Sequence, residues 1–290
     1  MNKSGSLRHL AELLLAIFVM SSSGALGRYL DLPVPFAIWA RCAIAAVALF
    51  SILLLFNQSI RIRSADRVKL VLPTLLMGAH WLTYFHALKL SGVAVGMLTL
   101  FTYPLMTSLL EPFMLKIKPI GRHIPLAFLA LLGIYFLVPE FNLANDQTLG
   151  VLFGLMAALT YSVRNILIRK NISNISGVLS MGYQLVGLSV LLAPSIFLFP
   201  LDFQNIIVNK GLALLSLGII TTAIGHTLFV KSFGYFTVTT VSILSNLTPI
   251  LGIILGALWL GEIPERGVYF GGSIILMVTI IEIKMTANSK

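Results

Sequence analysis

The stretch FTYPLM at residues 101–106 decides the fold of this chain because NLTPIL at residues 246–251 repeats its pattern. Pro104 falls on Pro249 at an offset of 145 residues, and a second pair of prolines matches at the same offset. Few other side chains match between the two halves. The repeat therefore rests on the register of the prolines and on the hydropathy of the segments around them.

Both stretches lie within long apolar segments, of which the chain has ten. A helix needs about 20 apolar residues to cross a hydrocarbon core of roughly 30 Å. The composition agrees with a membrane protein, because 58% of the 290 residues are hydrophobic and only 10% are charged, against about 25% charged in soluble domains. The segments are 10–28, 34–56, 70–90, 92–114, 123–139, 148–168, 178–200, 211–230, 236–260 and 267–283.

The number of segments in each half determines how the halves sit in the membrane. Five is odd, so two copies of a five-span unit in one chain have opposite orientations, as in many alternating-access transporters. We predict an all-α polytopic membrane protein of ten transmembrane helices in two inverted five-helix repeats, residues 1–139 and 148–290. The boundary is the segment PEFNLANDQ at residues 139–147, which has no Lys or Arg.

The basic residues predict the orientation. In a soluble protein the net charge of +10 would suggest a nucleic-acid partner, but Lys and Arg also collect in cytoplasmic loops of membrane proteins. With the N-terminus inside, fourteen Lys and Arg residues fall on the inner side and four on the outer side. We therefore predict cytoplasmic N- and C-termini, an integral protein of a bacterial inner membrane, the lipid bilayer as a partner and no nucleic acid.

The paired prolines and two arginines are the first candidates for function. Pro104 and Pro249 remove helical hydrogen bonds, so they predict either hinges beside a transport pathway or benign packing kinks. Arg41 lies about seven residues into its span, roughly 10 Å deep, and Arg164 lies near the inner end of the sixth span. A guanidinium in a wet cavity suits a carboxylate or a phosphate, although both arginines also fit structural bracing.

The third span, with GAHWLTYFHAL at residues 78–88, is the richest in polar and aromatic side chains. His80 and Tyr84 are four residues apart and share a helix face, with Trp81 beside them. His226 aligns on Trp81 in the second half. These residues are either packed aromatics with a hydrogen-bonded histidine or the wall of a cavity, where a histidine also allows coupling to protons.

Other polar side chains at similar depth complete the predicted site. Ser and Thr can bond to their own helix, whereas amides need outside partners. Glu12, Lys231 and Arg28 lie near span ends, where we expect anchors rather than ligands. The residues predicted to contact substrate are Ser23, Arg41, His80, Trp81, Tyr84, Tyr103, Tyr161, Arg164, Asn165, His226, Ser242 and Asn246.

The prolines of the fourth and ninth spans, the position of Arg41 and the stretch LWLGEIPERG at residues 258–267 together resemble the drug/metabolite transporter superfamily, EamA type. The first repeat has Lys116-Ile117 where the second has Gly261-Glu262. The resemblance implies a secondary carrier with a central cavity between the first, third, fourth, sixth, eighth and ninth spans. Known members move amino acids, nucleotide-type metabolites or drugs.

We therefore predict a carrier for a small polar metabolite, with amino acids or related anionic or zwitterionic compounds first and phosphate-bearing or nucleoside-like compounds second. The alternatives are a channel or scramblase, and a membrane-embedded enzyme. No paired carboxylates, nucleophile motif or metal-ligand spacing is present in the sequence, so we expect no enzyme, cofactor or metal. Cys42 is the only cysteine, and GxxxG pairs fit internal packing in a monomer or a weak homodimer.

Overall fold

The computed structural model describes residues 3–116, 123–137, 141–171, 175, 177–232, 235–236 and 244–287. All regular structure in these ranges is helical, with no strand. We number ten helical segments in chain order, and a single turn at Ser195–Leu198 follows the seventh. They are α1 Lys3–Leu30, α2 Val34–Leu55, α3 Ser64–Leu100, α4 Tyr103–Leu115, α5 His123–Leu137, α6 Asp146–Asn171, α7 Gly177–Leu192, α8 at residues 203–232, α9 Leu247–Leu260 and α10 Arg266–Ala287.

Only part of this set reaches membrane-spanning length within the described residues. Five segments are long and apolar enough to cross, and α3 with α4 forms a further apolar pair that is bent by 47°. Shorter apolar helices are Pro125–Leu137, Leu247–Leu260 and Arg266–Ile281. The protein is thus an all-helical integral membrane protein, while the ten-span inverted repeat stays a prediction. The five segments are Leu7–Leu30, Val34–Leu55, Asp146–Ile168, Gly177–Leu198 and Phe203–Phe229.

Helix α3 reverses direction at Gly92. A straight helix of its 37 residues would be about 55 Å long, which exceeds any bilayer core. Gly92 has φ 79° and ψ 175°, a conformation open chiefly to glycine. A Cβ placed on Gly96 would lie 3.1 Å from the backbone N of Leu88, whereas residues eight apart in a straight helix are about 12 Å apart. The turn therefore lies between the predicted third and fourth segments.

The prolines begin helices instead of interrupting them. We predicted Pro104 and Pro249 in helix interiors, but Pro104 lies in the first turn of α4 and Pro249 in the first turn of α9. The amide that proline lacks has no helical partner in a first turn, so neither proline costs a helical bond. The axes of α3 and α4 differ by 47° across residues 101–102, so the chain bends immediately before Pro104.

Neighbouring helices bind the backbone at this break. The Thr279 hydroxyl of α10, which also bonds to the Ile275 carbonyl, lies 3.2 Å from the Phe101 carbonyl oxygen. The Ser162 hydroxyl of α6, which also bonds to the Ala158 carbonyl, lies 2.9 Å from the Tyr103 carbonyl oxygen. In a membrane, freed backbone groups are tolerated where neighbours satisfy them. The break is therefore a stable feature of the bundle.

Close helix contacts within the bundle involve the small-residue pairs predicted to serve internal packing. Each pair faces another helix of the same chain, which allows the backbones to approach closely. Large apolar side chains cover the outside of the bundle, where they can contact lipid. Gly150 and Gly154 face Ser91 and Thr99 of α3, Gly252 and Gly256 face Met97 and Val93 of α3, and Gly267 and Gly271 face the backbone of Phe136 and Gly133 in α5.

Candidate functional site

A cavity lies in the middle of the bundle, among α1, α2, α3, α4, α6, α8 and residues 245–248. Its volume is about 90 Å³. At about 10–15 Å³ for each water, the cavity has room for roughly six to nine waters. Eight predicted site residues line it: Ser23, Arg41, His80, Trp81, Tyr84, Tyr103, Tyr161 and His226.

The other four predicted residues are placed differently. Arg164 lies outside the cavity lining, where its Nη1 donates to Asn165 Oδ1 at 2.8 Å and its Nη2 donates to Gln184 Oε1 at 3.0 Å. Asn246 is buried between the cavity residues Ser245 and Thr248 without lining the cavity itself. Ser242 lies outside the described residues. Arg164 and Asn165 thus bind each other in this structure.

Arg41 is the most unusual residue of the cavity because it is buried without a carboxylate partner among the described residues. Its side chain is only 2% exposed. Its Nε donates to Thr222 Oγ1 at 2.8 Å, and its guanidinium carbon lies 4.5 Å from the centroid of the Trp81 ring. Its Nη1 has no hydrogen-bond partner in the described part of the chain. The Nη1 group of this buried cation can therefore donate to a water or a ligand in the cavity.

A π-helical stretch of α8, Ser216–His226, positions the partner of Arg41. The Thr222 hydroxyl donates to the Leu217 carbonyl five residues earlier, at 2.7 Å, while its oxygen accepts from Arg41. π-helical turns are rare and often occur at functional sites. The same stretch brings His226 to Trp81, with ring centroids 6.1 Å apart, so the alignment of these two positions corresponds to proximity in space.

The wall of α3 that faces α6 is aromatic. His80 Nδ1 lies 3.0 Å from the carbonyl oxygen of Ala157, and because a carbonyl only accepts, Nδ1 donates and a neutral ring keeps Nε2 as an acceptor. The His80 ring stacks on Tyr161 at 4.5 Å, and the Tyr84 ring is parallel to His80 at 6.2 Å. Tyr103 meets Tyr161 edge-on at 5.0 Å. These rings form a platform suited to stacking.

Sequence reasoning missed half of the lining. Most of these residues are apolar and occur at spacings that packing alone explains. Thr221 belongs to the π-helical stretch, whose altered winding cannot be read from a helical wheel. Helix α9 supplies Thr248, one residue before Pro249. The missed residues are Met20, Met97, Leu100, Phe101, Thr221, Phe229, Ser245 and Thr248.

Ion pairs between distant parts of the chain occur near both ends of α1. Near one end, Arg28 Nε donates to Glu262 Oε1 at 2.8 Å. Near the other, Lys231 Nζ donates to Glu12 Oε2 at 3.0 Å. Beside Arg28, Lys89 donates to Asp31 at 2.9 Å and lowers the pKa of the Asp31 carboxyl. These side chains hold helices together at the span ends, as expected for anchors.

The described residues thus form a membrane-embedded helical bundle around a small cavity with both polar and apolar walls. The profile of the EamA-like transporter family matches this chain twice, over residues 10–138 and 148–282. The chain belongs to the EamA-like transporter family. This result confirms the resemblance drawn from the prolines, Arg41 and the stretch LWLGEIPERG.

Known relatives agree with this assignment. The chain is 23% identical over 212 residues to the uncharacterized transporter YwfM of Bacillus subtilis (strain 168), covering 72% of this chain and 71% of that protein. It is 28% identical over 178 residues to an uncharacterized transporter of Clostridium kluyveri, covering 58% and 56%. A solved crystal structure superposes with a TM-score of 0.67 at 19% identity, over 98% of this chain and 99% of that one, which shows a shared fold.

Proposed function

We propose that this protein is a secondary carrier that moves a small anionic or zwitterionic organic molecule, with amino acids first, by alternating access. The observation that carries the proposal is Arg41, a buried guanidinium at the wall of the central cavity, whose Nη1 has no hydrogen-bond partner among the residues that the structure describes. A charged side chain at the centre of a bilayer costs at least ~2.5 kcal/mol. A residue retained at that cost, without an acidic partner among the described residues, suits a negatively charged ligand.

The geometry around Arg41 favours a carboxylate or a phosphate. The guanidinium is planar and donates from several N–H groups in fixed directions, which match the two oxygens of a carboxylate. Thr222 and Trp81 already hold the group on one edge and one face. A ligand oxygen at Nη1 would complete the hydrogen bonds of Arg41, and the interaction would be charge-assisted.

The aromatic side chains of the cavity wall fit the rest of a small substrate. His80, Tyr84 and Tyr161 offer ring faces and hydroxyl groups near one another. Ring faces attract ammonium groups and stack on flat rings, so they suit an amino acid and also a nucleoside-like compound. The cavity is small, with a volume of about 90 Å³, and we propose a substrate of amino-acid size for it.

The two-repeat division at residues 1–139 and 148–290 is part of this proposal and has several supports. The family profile matches each half separately. Lys116 after α4 and Gly261 after α9 match at the offset of 145 residues, and both adopt left-handed conformations, with φ 56° and 69°. A shared local geometry at matched positions is expected of two copies of one unit.

Contacts between distant segments support the predicted membrane sides. Each contact joins two residues that the ten-span topology assigns to one side. On the predicted inner side these are Glu12 with Lys231, Lys170 with the Met114 carbonyl, and Tyr183 with the Ile60 carbonyl. On the predicted outer side they are Arg28 with Glu262, Lys89 with Asp31, and Lys210 with the Leu30 carbonyl.

Transport by purified protein in proteoliposomes tests the proposal. We expect uptake of a labelled amino acid or related anion, and faster uptake when the vesicles are preloaded with the same compound. Preloading accelerates a carrier because the loaded site returns faster, whereas a channel gains nothing from exchange. Transport of cations alone, such as quaternary ammonium compounds, would show that the charge argument is wrong.

Substitution of Arg41 tests the substrate class in the same vesicles. Arg41→Lys keeps the charge but removes the planar fork, so we expect the apparent affinity for the anion to fall about tenfold. Arg67→Lys is the matched control, because Arg67 is exposed at the start of α3. An equal loss in both variants would contradict a role for Arg41 in binding.

A further inference from the structure

Helix α1 forms two ion pairs with distant segments of the same chain, one on each side of the central cavity. Glu12 and Arg28 are sixteen residues apart, which corresponds to about 24 Å along a helix. Met20 and Ser23 lie between them and line the cavity. Both partners come from the second half of the chain, because Glu12 pairs with Lys231 and Arg28 pairs with Glu262. The same helix therefore joins the two halves above and below the site.

The pair at Arg28 lies within a wider set of contacts. Glu262 Oε1 accepts from Arg28 Nε at 2.8 Å, and Glu262 Oε2 accepts from the Val93 backbone N–H at 2.8 Å. Arg28 Nη1 also donates to the Lys89 carbonyl at 2.8 Å. One carboxylate thus links the end of α1, the reversal of α3 at Gly92 and the connection between α9 and α10.

The ion pair between Glu12 and Lys231 also has further contacts around it. Glu12 Oε2 accepts from Lys231 Nζ at 3.0 Å and lies 3.2 Å from His9 Nδ1. The His9 ring stacks on Tyr235 with centroids 3.5 Å apart. Between this layer and the cavity is an apolar cluster in which Leu13 and Ile17 are fully buried. The cluster also includes Phe229, Phe236, Leu244 and Leu251.

The exposure of these pairs suits contacts that open and close. The side chains of Arg28 and Glu262 are 37% and 27% exposed, and those of Lys231 and Glu12 are 40% and 20% exposed. Water can therefore solvate each charge after separation, and partly exposed pairs are only weakly stabilising. A fully buried pair would resist opening, because separation would leave an uncompensated charge in the protein.

We propose that Arg28–Glu262 and Glu12–Lys231 are two latches that open in alternation and give the cavity access to opposite sides of the membrane. This inference rests on the proposed function as an alternating-access carrier. Loss of one latch shifts the population toward the state that is open at that end, because the variant removes a contact made only in the closed state. The ion pair between Asp66 and Lys69 joins two residues of α3 three positions apart and serves as the control.

Accessibility of a cavity cysteine measures the effect. The reporter is Ser23→Cys in a background where Cys42, the only cysteine, is replaced by Ala. A membrane-impermeant maleimide is applied to one side or the other of oriented vesicles. We expect Glu262→Gln to accelerate labelling about threefold from the side of Arg28 and Glu12→Gln to accelerate it about threefold from the opposite side. Asp66→Asn should leave both rates unchanged.

Exchange of the two charges of the Glu12–Lys231 pair tests whether faster labelling comes from loss of the ion pair or from a general loosening of the fold. Glu12→Lys alone should accelerate labelling as Glu12→Gln does, and the added change Lys231→Glu should bring the rate back toward that of the reporter protein. Equal acceleration from both sides, no acceleration in either single variant, or no reversal in the double variant would overturn the latches.

Transport assays on the protein without the reporter cysteine, in which Ser23 is kept, test the proposed function separately from the latches. If that protein shows exchange transport while Glu262→Gln and Glu12→Gln label at the reference rates, the latches are wrong and the carrier stands. If it transports no candidate but the two variants change labelling from opposite sides, the latches stand as gates and the substrate assignment is wrong.

Discussion

Two arginines that look alike in the sequence, Arg41 and Arg164, differ at the level of single residues. Arg164 has its donors occupied by Gln184 and Asn165, whereas Arg41 donates to Thr222, lies over the Trp81 ring and has no partner for Nη1 in the described part of the chain. An arginine whose donors are occupied stabilises its surroundings, whereas a buried one with an unused donor carries a desolvation cost that a ligand can offset. Arg41 is therefore the better candidate for substrate contact.

This difference predicts opposite effects on stability in the absence of substrate. Arg164→Met strands the amide oxygens of Gln184 and Asn165, so we expect the melting temperature to fall by about 3–6 °C. Arg41→Met removes a buried charge with an unused donor, so we expect an unchanged or higher melting temperature. Thermal unfolding of both variants in the same detergent measures this. A larger loss for Arg41→Met than for Arg164→Met would show that Arg41 is structural.

At the scale of helices, two breaks determine how the cavity is built. The chain leaves helical geometry at residues 101–102 and again at Asn246, and a proline lies in the first turn of the helix that follows each break. Phe101, Tyr103 and Thr248, next to these breaks, line the cavity. The position of the prolines after the breaks, rather than inside helices, keeps each break from closing into a continuous helix.

We therefore expect Pro104→Ala and Pro249→Ala to affect motion more than binding. Each change supplies an N–H that can extend the helix back across the break and resist bending. We expect the rate of exchange transport to fall on the order of three- to tenfold while substrate affinity is retained.

Pro112→Ala is the matched control for this pair, because Pro112 also lies in α4 but at its far end. Binding and exchange are measured on the same preparations. If the rate of exchange transport is unchanged in Pro104→Ala and Pro249→Ala, the two prolines serve packing and are not hinges.

At the scale of the whole molecule, the predicted feature is the opposite orientation of the two halves in the membrane. The described residues form an all-helical bundle, and the family profile matches each half of the chain once. The ion pairs between distant segments join residues that are predicted to lie on the same side of the membrane. The predicted ninth segment, 236–260, is helical from Leu247 onward in α9. Helix α3 covers the whole third segment and the start of the fourth, which the hydropathy divided correctly at Gly92.

Single cysteines in a Cys42→Ala background test the topology. Asn145, Asn205 and Ser64 are exposed in the structure and lie in predicted loops, so their substitution by cysteine disturbs little packing. We expect an impermeant maleimide to label positions 145 and 205 in intact cells and position 64 only after permeabilisation. Labelling of position 64 from outside would contradict the inverted repeat.

The sequence by itself determined the class of protein, the apolar segments, the register of the prolines and the family. These are local properties, because burial in lipid requires long apolar runs and because glycine and proline restrict the backbone wherever they occur. Only the tertiary structure decided that Arg41 faces the cavity and Arg164 does not, and that Arg28 and Glu12 pair with the other half of the chain. Those outcomes depend on which helices pack together and on the π-helical winding of α8, and neither is encoded in the residues next to each side chain.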